Sequence, residues 1–307
     1  MKHTYDVVIA GAGPAGLSAG IYTGRALFST LILDKGMPGG QILLTDIIEN
    51  YPGFPEAVSS FSLAEGFKSQ ALKFGCEISQ DEIKKIEKTH NIWTVRTVEK
   101  EFSAKGLIIA TGSSHRKLDV PGERQFTGKG VSYCATCDGA FFRDKVIAVV
   151  GGGSYALTEA LFLTRFAKKV IVLHRRDQFR AEKVLQVRAE DNERIEFMLS
   201  SVVKEIKGDQ KVRSAKILNL INKKESEIEI EGIFVSVGMI PNTDIVKGLV
   251  DLNNKGEIIV TKNMATSERG IFAAGDVTDA CSNQVATAVG AGVEAGLAVN
   301  KYIERDK

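Results

Sequence analysis

At 307 residues the chain is longer than one ordinary domain, so two are expected. A composition 44% hydrophobic and 25% charged can fill substantial cores, and a net charge of +2 gives no bulk attraction to nucleic acid or to an anionic membrane. One tryptophan, Trp93, and 7% aromatic residues argue against a base-stacking surface, and no apolar run approaches the roughly 20 residues of a membrane span.

In chain order, a Val/Ile-rich strand is predicted over residues 5–10. No apolar leader with a cleavage site precedes it, so a cytoplasmic protein without a secretory signal is expected. The strand runs into a G-x-G-x-x-G turn at Gly11, Gly13 and Gly16, then a small-residue helix over 17–26 and a strand over 30–33 that ends at Asp34. A β-leaning stretch follows at 83–105, then a strand at 107–110 that breaks at Thr111 and Gly112. The opening then recurs. A strand at 146–150 leads into Gly151, Gly153 and Ala156, a helix runs through Ala167, and a strand covers 170–173. Strands at 228–230 and 233–237 precede a turn at 238–243, a short strand breaks at Gly275, and a helix covers 286–303. Two βαβ openings point to two dinucleotide-binding domains, with Pro121, Gly122 and Pro241 as linker markers near 115 and 243.

The first glycine turn has the right setting for a nucleotide. Gly11 permits a tight turn, Gly13 lets backbone approach a pyrophosphate, and Gly16 lets the helix pack closely on the strand. The helix N-terminus offers N–H groups to phosphate, and Asp34, 18 residues past Gly16, can accept from ribose hydroxyls. A ligand-free glycine turn is the competing reading. In the second copy the strand after the glycines ends in His174, Arg175 and Arg176, with Arg180 close behind. Guanidiniums there suit a 2′-phosphate, so this site reads as NADPH-specific rather than as a solvated basic turn.

The four cysteines are Cys76, Cys134, Cys137 and Cys281. A C-x-x-C such as Cys134 and Cys137 is either half of a metal site or a redox pair. The other two cysteines are distant and single, and the four histidines form no ligand-like pair, which weighs against zinc and for no metal. Asp138 beside the pair is a candidate proton donor or acceptor. Cys76 and Cys281 read as structural thiols.

With these motifs in order, the chain resembles the low-molecular-weight, bacterial-type thioredoxin reductases over essentially its full length. The landmarks are the turns at 11–16 and 151–156, segments 38–41, 49–53, 110–112, 134–138, 174–180 and 238–243, and Ala274, Gly275 and Asp276. The resemblance implies an α/β fold of two Rossmann-like, three-layer ββα domains. An NADPH domain at 115–245 would be inserted in a discontinuous FAD domain at 1–114 and 246–307. It implies FAD contacts from Gly11, Gly13, Pro14, Ala15, Gly16, Asp34, Lys35, Ala110, Thr111, Gly112, Gly275, Val285 and Ala286. Gly39, Gly40, Gln41 and Asn50 would lie along the flavin, Asp276 at its ribityl or phosphate region, and Gln284 at the isoalloxazine. NADPH would contact Gly151, Gly153, Ser154, Ala156, His174, Arg175, Arg176 and Arg180.

The same resemblance implies that electrons pass from NADPH through FAD to the Cys134–Cys137 disulfide and on to a thioredoxin-like protein, with a homodimer as the working form. Cys137 would be the flavin-proximal thiol, Cys134 the sulfur that attacks substrate, and Asp138 the acid/base. A dithiol that serves both flavin and protein in turn requires the inserted domain to rotate. Three positions depart from the family pattern: Tyr155 replaces a small residue, Asn283 a basic one, and Asp34 the commoner Glu. Tyr155 keeps open a reductase fed by ferredoxin or another donor, a peroxiredoxin-linked reductase is opposed by the absence of a thioredoxin-like module, and a redox sensor without turnover is the third alternative.

Overall fold

The computed structural model describes residues 3–44, 47–90 and 92–305, with all their side chains except those of His3 and Cys137. The chain forms two compact units, one running through Ser114 and resuming at Ile240, the other spanning His115–Met239.

The first unit begins β1 (His3–Ala10), α1 (Pro14–Arg25), β2 (Thr30–Asp34), the short pair β3 (Ile47–Ile48) and β4 (Val58–Ser59), α2 (Ser60–Lys73) and β5 (Glu77–Gln80). A meander follows, β6 (Lys85–Thr89), β7 (Ile92–Arg96) and β8 (Glu101–Ile109), and β9 (Ser113–His115) crosses out. Within the second unit lie α3 (Glu123–Phe126), β10 (Val131–Ser132), α4 (Ala135–Asp138), β11 (Val146–Val150), α5 (Ser154–Leu163), β12 (Lys169–Leu173) and α6 (Lys183–Glu190). After them come β13 (Ile195–Met198), β14 (Ser201–Gly208), β15 (Val212–Asn219), β16 (Glu225–Glu229) and β17 (Gly232–Val235). The return strand β18 (Met239–Pro241) pairs with β9, and β19 (Ile271–Ala273) and α7 (Val285–Arg305) complete the first unit.

In the first unit β5, β2, β1 and β8 are neighbours in a parallel sheet, β19 adds parallel to β8, and β7 and β6 extend it antiparallel. Strand alternation sorts the side chains into two cores. Val7, Ile9 and Ile32 face α1, α2 and α7, whereas Val8, Ala10, Leu31 and Leu33 face a layer that includes Trp93 and Val95. A sheet buried on both faces explains why its strands read as unbroken apolar runs. The last helix lies against the first because two positions lack a side chain: a Cβ on Gly292 would stand 2.1 Å from the Ala15 carbonyl oxygen, and one on Gly296 2.9 Å from that of Ala19.

The second unit repeats the plan. Strands β10, β17, β11, β12 and β13 form a parallel sheet, with Ile147 and Val149 turned to α5 and α6 and Ala148 and Val150 to the antiparallel layer β14–β15–β16. Each fully buried Ile, Val or Leu in these layers contributes roughly 1.5–3 kcal/mol. Both units are therefore Rossmann-like and three-layered.

The return crossing lies at Ile240, earlier than the 246 expected from sequence. Asn242 accounts for the difference, because its backbone and side chain bond Thr111, Gly112 and Ser114 of the first unit. Helix α5 stops at Leu163 rather than Ala167: the Thr164 hydroxyl turns back on the Leu161 carbonyl, and Arg165, Phe166 and Ala167 close tight turns. Among the described residues no helix is long and apolar enough to cross a membrane, and no three His, Cys, Asp or Glu side chains gather as a metal-holding set.

Candidate functional site

In the first unit the chain leaves β1 through Gly11 at φ +109°, where a Cβ would lie 2.2 Å from the Ala110 carbonyl oxygen. A Cβ on Gly16 would lie 1.9 Å from the Gly11 oxygen, so α1 can approach the turn only with glycine there. Gly13 is different. It caps α1 in an extended conformation with no side-chain cap, Pro14 follows at a position where a missing N–H costs nothing, and the first turn holds no acid. A Cβ on Gly13 would meet nothing within 4 Å. Donors pointing into open space at a positive helix end are what a pyrophosphate needs.

The remaining first-unit residues gather around this turn. Asp34 braces it, accepting from the Ala12 N–H at 2.6 Å through Oδ2 and from Gly36 N–H at 2.8 Å through Oδ1; the next residue, Lys35, is exposed. Gly39 N–H bonds the Ala12 carbonyl at 2.8 Å, and a Cβ on Gly40 would stand 3.0 Å from the Gly13 Cα, which sets this loop over the glycines. Gln41 donates to the Ser113 carbonyl at 2.6 Å, and Asn50 donates to Gln284 Oε1 at 3.0 Å. On the other side Ala274 N–H bonds Ile109, and Gly275, at φ +80°, comes so close to α1 that a Cβ would be 2.9 Å from that of Ala15. Burial pushes the Asp276 carboxyl up; Cys281 Sγ donates to it at 3.5 Å. Val285 and Ala286 open α7, just past Asn283, which takes the left-handed conformation at φ +55°. Asn is among the few side chains that accept it.

The second turn has the same build. A Cβ on Gly151 would lie 2.3 Å from the Ser236 carbonyl oxygen and 2.6 Å from Ala156 Cβ, whereas one on Gly153 would meet nothing within 4 Å. Gly153 caps α5 with no side-chain cap and no acid in the first turn. The His174 ring lies under Gly152, bonds the Gln178 carbonyl at 3.1 Å and stacks on Phe179. Burial holds its pKa below the ordinary imidazole value, and the neighbouring guanidiniums add to this. Arg180 N–H bonds the Gly152 carbonyl at 2.8 Å, and Ser154 Oγ accepts from Glu182 N–H at 3.0 Å. Arg175, Arg176 and Arg180 are all exposed. Open donors beside three free-standing cations fit a phosphorylated nucleotide.

Cys134 leads into the single turn of α4 and is disulfide-bonded, while Cys76 and Cys281 are free thiols. The Cys137 side chain lies outside the described residues. Cys134 N–H bonds Ser132 Oγ at 3.1 Å, and Asp138 N–H bonds the Cys134 carbonyl at 3.2 Å. Apart from Tyr155, sequence reasoning missed the residues around this loop. Tyr133 donates to Glu123 at 2.8 Å, and Glu159 accepts from Ala135 N–H at 2.8 Å and from the hydroxyls of Ser236 and Tyr155. Tyr155 thus turns its hydroxyl inward, and its ring packs 5.6 Å from that of His115. The available signal was Glu159 itself, the one charged residue of its helix.

A sequence profile described as pyridine nucleotide-disulphide oxidoreductase matches residues 5–295. A thioredoxin reductase of Bacillus subtilis is 43% identical over 301 residues, 98% of this chain and 95% of its own length. Among solved structures, the Lactococcus lactis thioredoxin reductase superposes with a TM-score of 0.96 at 43% identity, covering 98% of this chain and 99% of that one. The T. acidophilum thioredoxin reductase gives 0.94 at 35% identity, with both chains covered in full.

Proposed function

Because the chain belongs to the pyridine nucleotide-disulphide oxidoreductase family, and to the thioredoxin reductases within it, we propose that it is an FAD-dependent enzyme that carries reducing equivalents from NADPH to the disulfide of a thioredoxin. The observation that carries this reading is that one chain holds two open, uncapped glycine turns of the same build together with a disulfide at Cys134. In it the first unit binds FAD and the second binds NADPH, the 2′-phosphate resting on Arg175, Arg176 and Arg180.

When bound, the flavin supplies two-electron chemistry between a nicotinamide and a disulfide. The chain's own residues do the rest. Gly13 and Gly153 present N–H groups to the two pyrophosphates. Asp34 accepts from ribose hydroxyls, and the Asn50–Gln284 pair supplies amides for the isoalloxazine edge. With the dithiol reduced, the Cys134 thiolate attacks one sulfur of the thioredoxin disulfide, and the other sulfur leaves as a thiolate. Cys137 then attacks Cys134 Sγ, which re-forms the enzyme disulfide and frees the dithiol product. Asp138 moves the protons that these thiolates lose and gain.

The reading places the enzyme in the cytoplasm, where dithiols are kept reduced, and as a homodimer, to be checked by light scattering. Anaerobic titration of the yellow protein with NADPH and with NADH, followed by thioredoxin, tests the whole. NADPH should bleach the flavin far faster than NADH, and thioredoxin should restore the colour. Slow bleaching by both nicotinamides would overturn the donor assignment.

A further inference from the structure

Among the described residues, Glu123 and Glu159 are the two carboxyl side chains that are almost fully buried, 3% and 5% exposed. Neither has a task in the chemistry above. Burying a carboxyl is costly unless its oxygens are well supplied with donors, and each of these has three. Glu123 takes the N–H groups of Leu118 and Asp119 and the hydroxyl of Tyr133. Glu159 takes the Ala135 N–H and the hydroxyls of Ser236 and Tyr155. The donors they share with the redox loop are Tyr133 and Ala135, the residues on either side of Cys134.

We propose that Glu123 and Glu159 are positioning residues that clamp the redox loop at the two positions flanking Cys134 and so hold its sulfur in the geometry of the disulfide. The anchor points belong to rigid parts of the second unit. Glu159 stands on α5, the helix that opens at Gly153, and Ser236 follows β17 with its N–H on the Val150 carbonyl. Ala135 N–H is a first-turn donor with no intrahelical acceptor; Ala135 itself is 1% exposed, and Glu159 accepts from this buried N–H. Tyr133 is held equally firmly, because the carboxyl it reaches is fixed by two backbone N–H groups. Between two such points the backbone of Cys134 has little freedom, and the remaining donor, its own N–H, is taken by Ser132. A clamp fitted to the disulfide lowers its tendency to open, so loosening either arm should favour the dithiol.

The inference rests on Cys134 being the redox cysteine, but its test uses neither NADPH nor thioredoxin. The FAD-loaded full chain is equilibrated anaerobically with reduced and oxidised glutathione, and the Cys134 disulfide is quantified by quenched alkylation. Glu159→Leu keeps bulk and removes the acceptor; Glu159→Gln keeps an acceptor for Ala135 and replaces the carboxyl by an amide; Tyr133→Phe cuts the other arm. Glu159→Leu leaves the buried Ala135 N–H unpaired and should shift the equilibrium toward the dithiol about tenfold or more, whereas Tyr133→Phe removes one hydroxyl donor from Glu123 and should shift it at least about threefold. Glu159→Gln should stay within about threefold of the parent. A parent-like equilibrium in either Glu159→Leu or Tyr133→Phe overturns the clamp, as does a Glu159→Gln shift as large as that of Glu159→Leu, which would assign the effect to something other than the bond to Ala135. If Glu159→Leu does not fold, Tyr133→Phe and hydrogen exchange of the unaltered protein decide: the Ala135 amide should be protected, and rapid exchange there overturns the proposal. Failure of NADPH to bleach the flavin would overturn the enzymatic reading alone.

Discussion

Adding one methyl group at Gly153 separates a nucleotide site from a mere turn. The residue has φ −97° and ψ 175°, a conformation any side chain adopts, and its Cβ would meet nothing within 4 Å. Gly153→Ala should therefore fold as the parent does, with a melting temperature within about 2 °C of it. A phosphate oxygen hydrogen-bonded to the α5 donors sits closer to the backbone than a methyl carbon allows, the latter requiring about 3.5–4.0 Å. Displacing it weakens about two charge-assisted hydrogen bonds, a loss near 3 kcal/mol, or roughly a hundredfold in Kd. Calorimetric titration of the oxidised enzyme with NADP+ measures this directly. Gly151→Ala is the internal contrast, since its Cβ would be driven to 2.3 Å from the Ser236 oxygen and must destabilise the fold. Parental NADP+ affinity in Gly153→Ala would refute the assignment of the second turn.

Three further outcomes are expected. Cys134→Ser should lose thioredoxin reduction yet keep NADPH-dependent bleaching of the flavin; loss of bleaching as well would point to a folding defect or a different electron path. Replacing Arg175, Arg176 and Arg180 together by alanine should lower the ratio of kcat/KM for NADPH over NADH at least about tenfold, and an unchanged ratio would remove the 2′-phosphate reading. The Cys76 thiol is buried, donates to the Gly20 carbonyl at 3.0 Å, and burial pushes its pKa up to about 11. Native protein should therefore resist iodoacetamide at this residue at pH 8 and lose the protection in urea. Since its folded pKa lies above the unfolded one, its contribution to stability is complete below the unfolded pKa and disappears as pH rises from about 9 to about 11. The urea midpoint of the parent, relative to Cys76→Ala, should fall across that window.

The glycine turns were legible because their constraint is local: Gly11, Gly16 and Gly151 are dictated by backbone atoms that any βαβ opening brings together. The repeated strands were legible because burial on both faces leaves continuous apolar runs. Helix α2 was not, since its buried Leu63, Ala64, Phe67 and Ala71 are interleaved with exposed Phe61 and Leu72, which blur the helical period. The β14–β15 hairpin was missed because register shifts at Val203/Glu205 and Lys207/Gly208 interrupt the alternation. The expected strand at 228–230 pairs instead over Glu225–Glu229, an edge strand whose charges face solvent. The supports of Cys134 were invisible for another reason. Glu159 meets Ala135 and Ser236 across 24 and 77 residues of chain, and no local pattern announces a hydrogen bond made at such range.

The packing of α7 on α1 through Gly292 and Gly296, with β19 bonded to β8, has a consequence for synthesis on the ribosome. The second unit is continuous from His115 to Met239 and can close as soon as it emerges. The N-terminal half of the first unit cannot; its sheet edge and the small-residue face of α1 stay bare until the last helix arrives. At about 5–20 residues per second that delay is on the order of ten seconds or more. The part of the molecule made first is finished last, so a chain stalled or truncated before residue 285 should be soluble only in its middle and a client for chaperones at its beginning. Limited proteolysis of such truncated chains should leave a resistant fragment close to 115–239, and a resistant N-terminal fragment instead would contradict this order.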